Sequence, residues 1–166
     1  MNHITPTQGI ENLRTLYAVM TGVPDRYINL NTWRGQSNSA DDARLIECKT
    51  AACAVGWACV YPPFKEQGLS FSTRFGEPHL DLPGRNMVLG FHAAAEFFGI
   101  SHAAALSLFI KRLGRYDAMK MDGTGRGVAL PDRLRVMRRI RRYLATHDHI
   151  TWARNEDLAL QEGSPA

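Results

Sequence analysis

A chain of 166 residues, 45% hydrophobic and 22% charged, has a globular composition and the length of one ordinary domain, which excludes disordered and fibrous classes. No run of about 18 apolar residues occurs, so no membrane span and no membrane partner are expected. The formal net charge of +4 is unevenly placed, because six arginines fall within Arg133–Arg142, and such a patch invites an acidic partner.

The opening Met1-Asn2-His3-Ile4-Thr5-Pro6 lacks a basic stretch followed by an apolar run. It therefore reads as no secretory signal, and a cytoplasmic location is expected. Three cysteines is an odd count for a disulfide framework, so thiols are expected in a reducing compartment.

The first predicted helix covers residues 7–21, with Ile10, Leu13, Tyr17 and Met20 at helical spacing and Gly22 and Pro24 as a stop. An extended piece follows over residues 27–33, and residues 34–42, rich in Gly, Ser, Asn and Asp, read as an exposed loop. Thr50 is the expected N-cap of a short helix over residues 51–60, ended by Pro62-Pro63. Gly56 lies inside that helix, where glycine costs about 1 kcal/mol relative to alanine and so marks close approach by a neighbouring backbone.

Alternation over residues 69–73 and 79–82 predicts one small β-hairpin leaning on the helices. A helix is expected over residues 85–98, turned by Gly99, and a second from the Ser101 cap to Leu113, ended by Gly114. Residues 122–127 read as a flexible, glycine-rich loop without the spacing of a phosphate-binding motif. Pro131 opens a helix whose stripe is Leu130, Leu134, Met137, Ile140 and Leu144. A last short helix is placed over residues 150–160, and residues 161–166 are expected to fray. The fold class is thus mainly α: a compact single-domain bundle of five or six helices with one hairpin, spanning residues 1–160.

Three places carry candidate chemistry. Cys48, Cys53 and Cys59 do not form a self-contained metal site, since Cys53 and Cys59 would point about 240° apart on one helix and no second pair follows. Neither a metal nor a cofactor is expected. A thiol- or metal-dependent enzyme at Cys48/Cys53 is kept as an alternative, because a thiol in a helix's first turn has its pKa lowered by the helix dipole. Residues 95–101 match the turn of a helix-turn-helix, but the following helix offers only His102 and Ser107 to a base edge and reads as a buried corner between helices. Arg135, Arg138, Arg139 and Arg142 fall within about a 100° arc opposite the apolar stripe. Four guanidinium groups on one face repel unless something anionic meets them, and a solvated face and a binding face stay open as readings.

Cys48-Lys49-Thr50-Ala51-Ala52-Cys53-Ala54-Val55-Gly56-Trp57-Ala58 resembles the C-x-T-x-x-C-x-x-G-x-A signature of a family of small uncharacterised bacteriophage, prophage and bacterial proteins. Asn29-Leu30-Asn31-Thr32-Trp33 is similar to that family's upstream N-x-x-x-W segment, and residues 94–100, Leu108-Phe109 and residues 131–144 correspond as well. Lys49 stands where the family pattern has glycine. The resemblance implies phage origin and a shared fold, and no activity.

Two functional expectations follow, both non-enzymatic. One is an accessory protein that binds a host protein or nucleoprotein machine through the Arg135, Arg138, Arg139 and Arg142 face. The other is a nucleic-acid-binding protein using the same face, joined by Arg133, Arg141 and Lys111. Cys48, Thr50, Cys53, Gly56 and Trp57 are read as the structural hub.

Overall fold

The N-terminal helix forms because Thr5 caps it, its hydroxyl accepting from the Gln8 N–H at 3.1 Å, and Pro6 occupies the first turn, where its missing N–H costs nothing. The computed structural model describes residues 4–33, 51–74, 76–84, 86–110, 119–121 and 127–147. The first helix, α1, spans Pro6–Gly22 and buries Leu13, Tyr17 and Met20 of the expected stripe together with Leu16, while Ile10 is half-buried.

After a 3₁₀ turn at Asp25–Tyr27 the chain runs extended. Ile28 makes a parallel bridge with Ala52: Asn29 N–H donates to the Ala52 carbonyl and Ala52 N–H to the Tyr27 carbonyl, each at 3.0 Å. This bridge moves the next helix. Residues 51–53 are extended, so α2 covers Ala54–Val60, and its N-cap is Cys53 rather than Thr50, which lies outside the described residues with Cys48 and Lys49. A one-turn helix, α3, follows at Pro62–Lys65.

The expected hairpin is present, with shorter strands than predicted and a third strand added to its sheet. Strand β1 (Leu69–Phe71) pairs antiparallel with β2 (Pro78–Leu80) in the register Leu69↔Leu80 and Phe71↔Pro78. A two-residue strand, β3 (Val88–Leu89), extends the sheet to the order β1-β2-β3. Recruiting Val88 and Leu89 into the sheet delays the next helix, so α4 spans Gly90–Phe97 instead of starting near Arg85.

Gly99 adopts φ +60° just past α4, the left-handed conformation that glycine takes without Cβ strain, and Ile100 N–H closes the turn on the Ala95 carbonyl at 2.9 Å. Ser101 then caps α5 (His102–Phe109), its hydroxyl accepting from Ala104 N–H at 3.1 Å. The helix ends at Phe109, four residues short of Leu113, because Ile110 is extended.

A second antiparallel pair, β4 (Met119–Met121) with β5 (Gly127–Ala129), flanks residues 122–126, so Gly127 belongs to a strand rather than to a loop. The last described helix, α6, runs Asp132–His147. The segments 34–50 and 148–166, including the expected loop, last helix and tail, and the span with Lys111 and Gly114, lie outside the described residues.

The architecture is mainly α: six α-helices among the described residues, with one three-stranded antiparallel sheet and one two-stranded pair. The core joins Leu13, Leu16 and Met20 of α1, Val55, Ala58 and Cys59 of α2, Phe97, Phe98 and Phe109 around the α4–α5 corner, and Val136, Ile140 and Leu144 of α6. Phe64 meets Phe97 edge-on, with ring centroids 5.0 Å apart, an arrangement that suits the ring quadrupoles. No helix among the described residues is long and apolar enough to cross a membrane.

Candidate functional site

Residues 27–33 and the start of α2 meet in space. The Cys53 N–H donates to the Thr32 carbonyl at 2.9 Å, and the Trp57 indole N–H donates to the Tyr27 carbonyl at 3.0 Å. Gly56 faces the Trp33 carbonyl so closely that a Cβ placed on it would lie 1.8 Å from that oxygen. Residues 27–33 therefore form a strap clamped on the start of α2. Trp33 also packs on Phe91 of α4, with centroids 4.4 Å apart, and Leu30 N–H donates to the Asp132 carboxylate of α6 at 3.0 Å. The close approach inferred from Gly56 is thus made by this strap.

Within the hub, Cys53 does structural work. Its sulfur accepts from the Gly56 N–H at 3.3 Å as the N-cap of α2. Burial pushes its thiol up to about 11, and this desolvation outweighs the backbone N–H groups that favour the thiolate. The first-turn argument for an activated thiol fails at Cys53, because the residue is only 3% exposed. Cys59 is also a buried thiol, on α2. Among the described residues no group of three or more His, Cys, Asp or Glu side chains is placed to hold a metal ion.

The six arginines of the α6 segment do not share one environment. Arg133 forms an ion pair with Asp25 and reaches the Met20 and Thr21 carbonyls at the end of α1. Arg135 lies 3.5 Å from Asp132, both side chains largely covered. Arg139 departs furthest from the sequence expectation. It is 6% exposed, and its guanidinium donates to the Leu108 and Ile110 carbonyls at 3.4 and 2.6 Å. Those carbonyls close α5, whose last oxygens have no partner within the helix, so a cation there is favourable. Arg139 thus belongs to the α5–α6 junction rather than to an open face.

What remains toward solvent is a smaller set. Arg142 is exposed, and Arg138 and Arg141 are half-buried. At 100° per residue these three fall within an arc of about 100°, on the side of α6 away from Val136, Ile140 and Leu144. The arc expected from the sequence, Arg135, Arg138, Arg139 and Arg142, overlaps this one only at Arg138 and Arg142. Helical spacing alone keeps Arg139 in the expected arc, because Arg139 lies only about 60° from Arg142 and its acceptors come from another helix.

The helix-turn-helix match resolves into the expected corner between helices. Ala105, Leu108 and Phe109 of the second helix are buried, while His102 stacks on His92 of α4 at 3.9 Å with planes 8° apart. No protein-family model, curated protein or solved structure matches the chain.

Proposed function

We propose that residues 1–160 act as one compact, non-enzymatic accessory unit of the phage kind whose signature the hub resembles. The unit works in the host cytoplasm without a cofactor and binds a host protein or nucleoprotein machine through the outer face of α6. Arg138, Arg141 and Arg142 are the contact charges. The observation that carries this reading is position: Arg138, Arg141 and Arg142 share the side of α6 away from the core, whereas Arg139 is buried against the end of α5.

The division also weighs between partners. Six phosphate contacts would give a logarithmic salt slope of about −5, whereas three give only about −3, a weak hold on a polyanion at physiological salt. An acidic protein surface asks less of a short patch, because a few well-placed charge pairs steer encounter and fix register.

The test is a tagged pull-down from bacterial host lysate with the wild-type chain and with Arg138→Glu/Arg141→Glu. A partner held by the wild type and released by the variant is expected. Equal retention by both, or no partner at all, overturns the reading. A mobility shift of DNA or RNA that persists at 150 mM salt would transfer the face to nucleic acid.

A further inference from the structure

His92 and His102 stand ten positions apart in the chain, on α4 and α5, and the turn between the two helices brings them together. That turn is tightly specified. Gly99 takes its left-handed φ of +60°, Ile100 N–H closes on the Ala95 carbonyl at 2.9 Å, and Ser101 caps the second helix. Phe98 packs on Phe109 with ring centroids 5.5 Å apart, which braces the corner from the core side. The core therefore fixes where the two histidine side chains start.

Their rings are left to solvent. Both histidines are exposed, and their imidazoles stack with centroids 3.9 Å apart and planes 8° apart. Among the described residues neither ring has a hydrogen bond or an ion pair, and each touches only the other ring. Two imidazoles are thus delivered to one place by a rigid corner, with their ring nitrogens uncommitted.

Imidazole nitrogen is a common ligand for Zn²⁺, Cu²⁺ and Ni²⁺, whereas Mg²⁺ and Ca²⁺ take oxygen. Metal–nitrogen bonds of about 2.0–2.1 Å place two such nitrogens about 3–4 Å apart on one ion. Rings 3.9 Å apart are already on that scale. Parallel planes aim their lone pairs in parallel, so binding turns both rings edge-on toward a shared ion. Exposure leaves that rotation free. We infer that His92 and His102 form a two-histidine site for a transition-metal dication, which pins the first turn of α4 to the first turn of α5.

Two protein ligands leave the rest of the coordination shell to water, and the positive ends of two short helices oppose a cation. The site is therefore exchangeable, unlike the closed four-ligand sites that hold a fold together. It lies apart from the arginines of α6, and neither inference rests on the other.

The test titrates the full chain with zinc chloride at about pH 7.5, where free imidazole is neutral, by calorimetry and by the imidazole C–H resonances. Magnesium chloride is the control. One zinc per chain is expected to saturate and to move the His92 and His102 signals together, ahead of those of the other four histidines. The mutual ring shielding of the stack should vanish in the same step. His92→Ala and His102→Ala should each weaken zinc by about tenfold or more. Zinc should raise the melting temperature of the wild type more than that of either variant. No saturable binding, saturation centred on other side chains, one of the two rings moving without the other, unchanged affinity in a folded variant, or an equal response to magnesium would overturn the site. If a variant fails to fold, the imidazole signals of the wild-type chain decide by themselves.

Discussion

Gly56 does more for this protein than its size suggests. A helix interior disfavours glycine by about 1 kcal/mol, so alanine there would help α2 in isolation. In the folded chain that alanine would push its Cβ into the Trp33 carbonyl, a backbone atom of a strap whose flanking residues are hydrogen-bonded on both sides. Forcing a methyl into such a contact costs about 1–3 kcal/mol or more, which outweighs the propensity gain. Gly56→Ala should therefore lower stability in chemical denaturation by about 2 kcal/mol. Gly22→Ala, whose Cβ would meet nothing within 4 Å, should be neutral or slightly stabilising. If the two variants behave alike, the strap is not held where it is described. The same scale explains Cys53: a buried or helix-terminal thiol is the default expectation for it, Cys53 is both buried and the N-cap of α2, and that burial decides whether the thiol is reactive.

At the scale of elements, α6 shows how far a helical wheel goes. Its stripe was legible in most positions: Leu130, Met137, Ile140 and Leu144 are buried, whereas Leu134 is only half-buried and Val136, outside the expected stripe, is fully buried. Arg139 was not, because a wheel sorts residues by angle and not by which neighbour ends beside them. An arginine can be buried when carbonyls at a helix end accept hydrogen bonds from its guanidinium N–H groups, and the end of α5 supplies two. Replacing it with methionine keeps the apolar stem and strands those carbonyls. Arg139→Met should cost about 2–3 kcal/mol in urea denaturation, against less than about 0.5 for Arg142→Met. Equal small losses would mean that the carbonyl contacts contribute nothing to stability. Element boundaries fail in the sequence for a related reason. α2 and α4 both begin later than their caps and periodicity suggest, since pairing of Ala52 with Ile28, and of Val88 and Leu89 with β2, takes the residues that would have formed their first turns.

For the molecule as a whole, residues 27–33 are the common tie. They touch α2 through Gly56, Cys53 and Trp57, α4 through Phe91, and α6 through Asp132. A strap shared by three helices couples their unfolding, so far-UV circular dichroism and tryptophan fluorescence should report one coincident transition. Asp132→Ala, which removes the carboxylate that receives the Leu30 N–H, should shift both signals together by about 2 kcal/mol. Two separated transitions would show that α6 unfolds apart from the hub. By itself the sequence determined the helical class, the caps at Ser101 and Gly99, the buried stripes, the hairpin and the need for a close neighbour at Gly56. Each of those is written in local spacing or in one residue's conformational limits. Only the tertiary structure decided which neighbour meets Gly56 and which carboxylates and carbonyls hold Arg133, Arg135 and Arg139. Those depend on carbonyls and carboxylates brought in from elements 23 to 113 residues away, and no local pattern encodes that meeting.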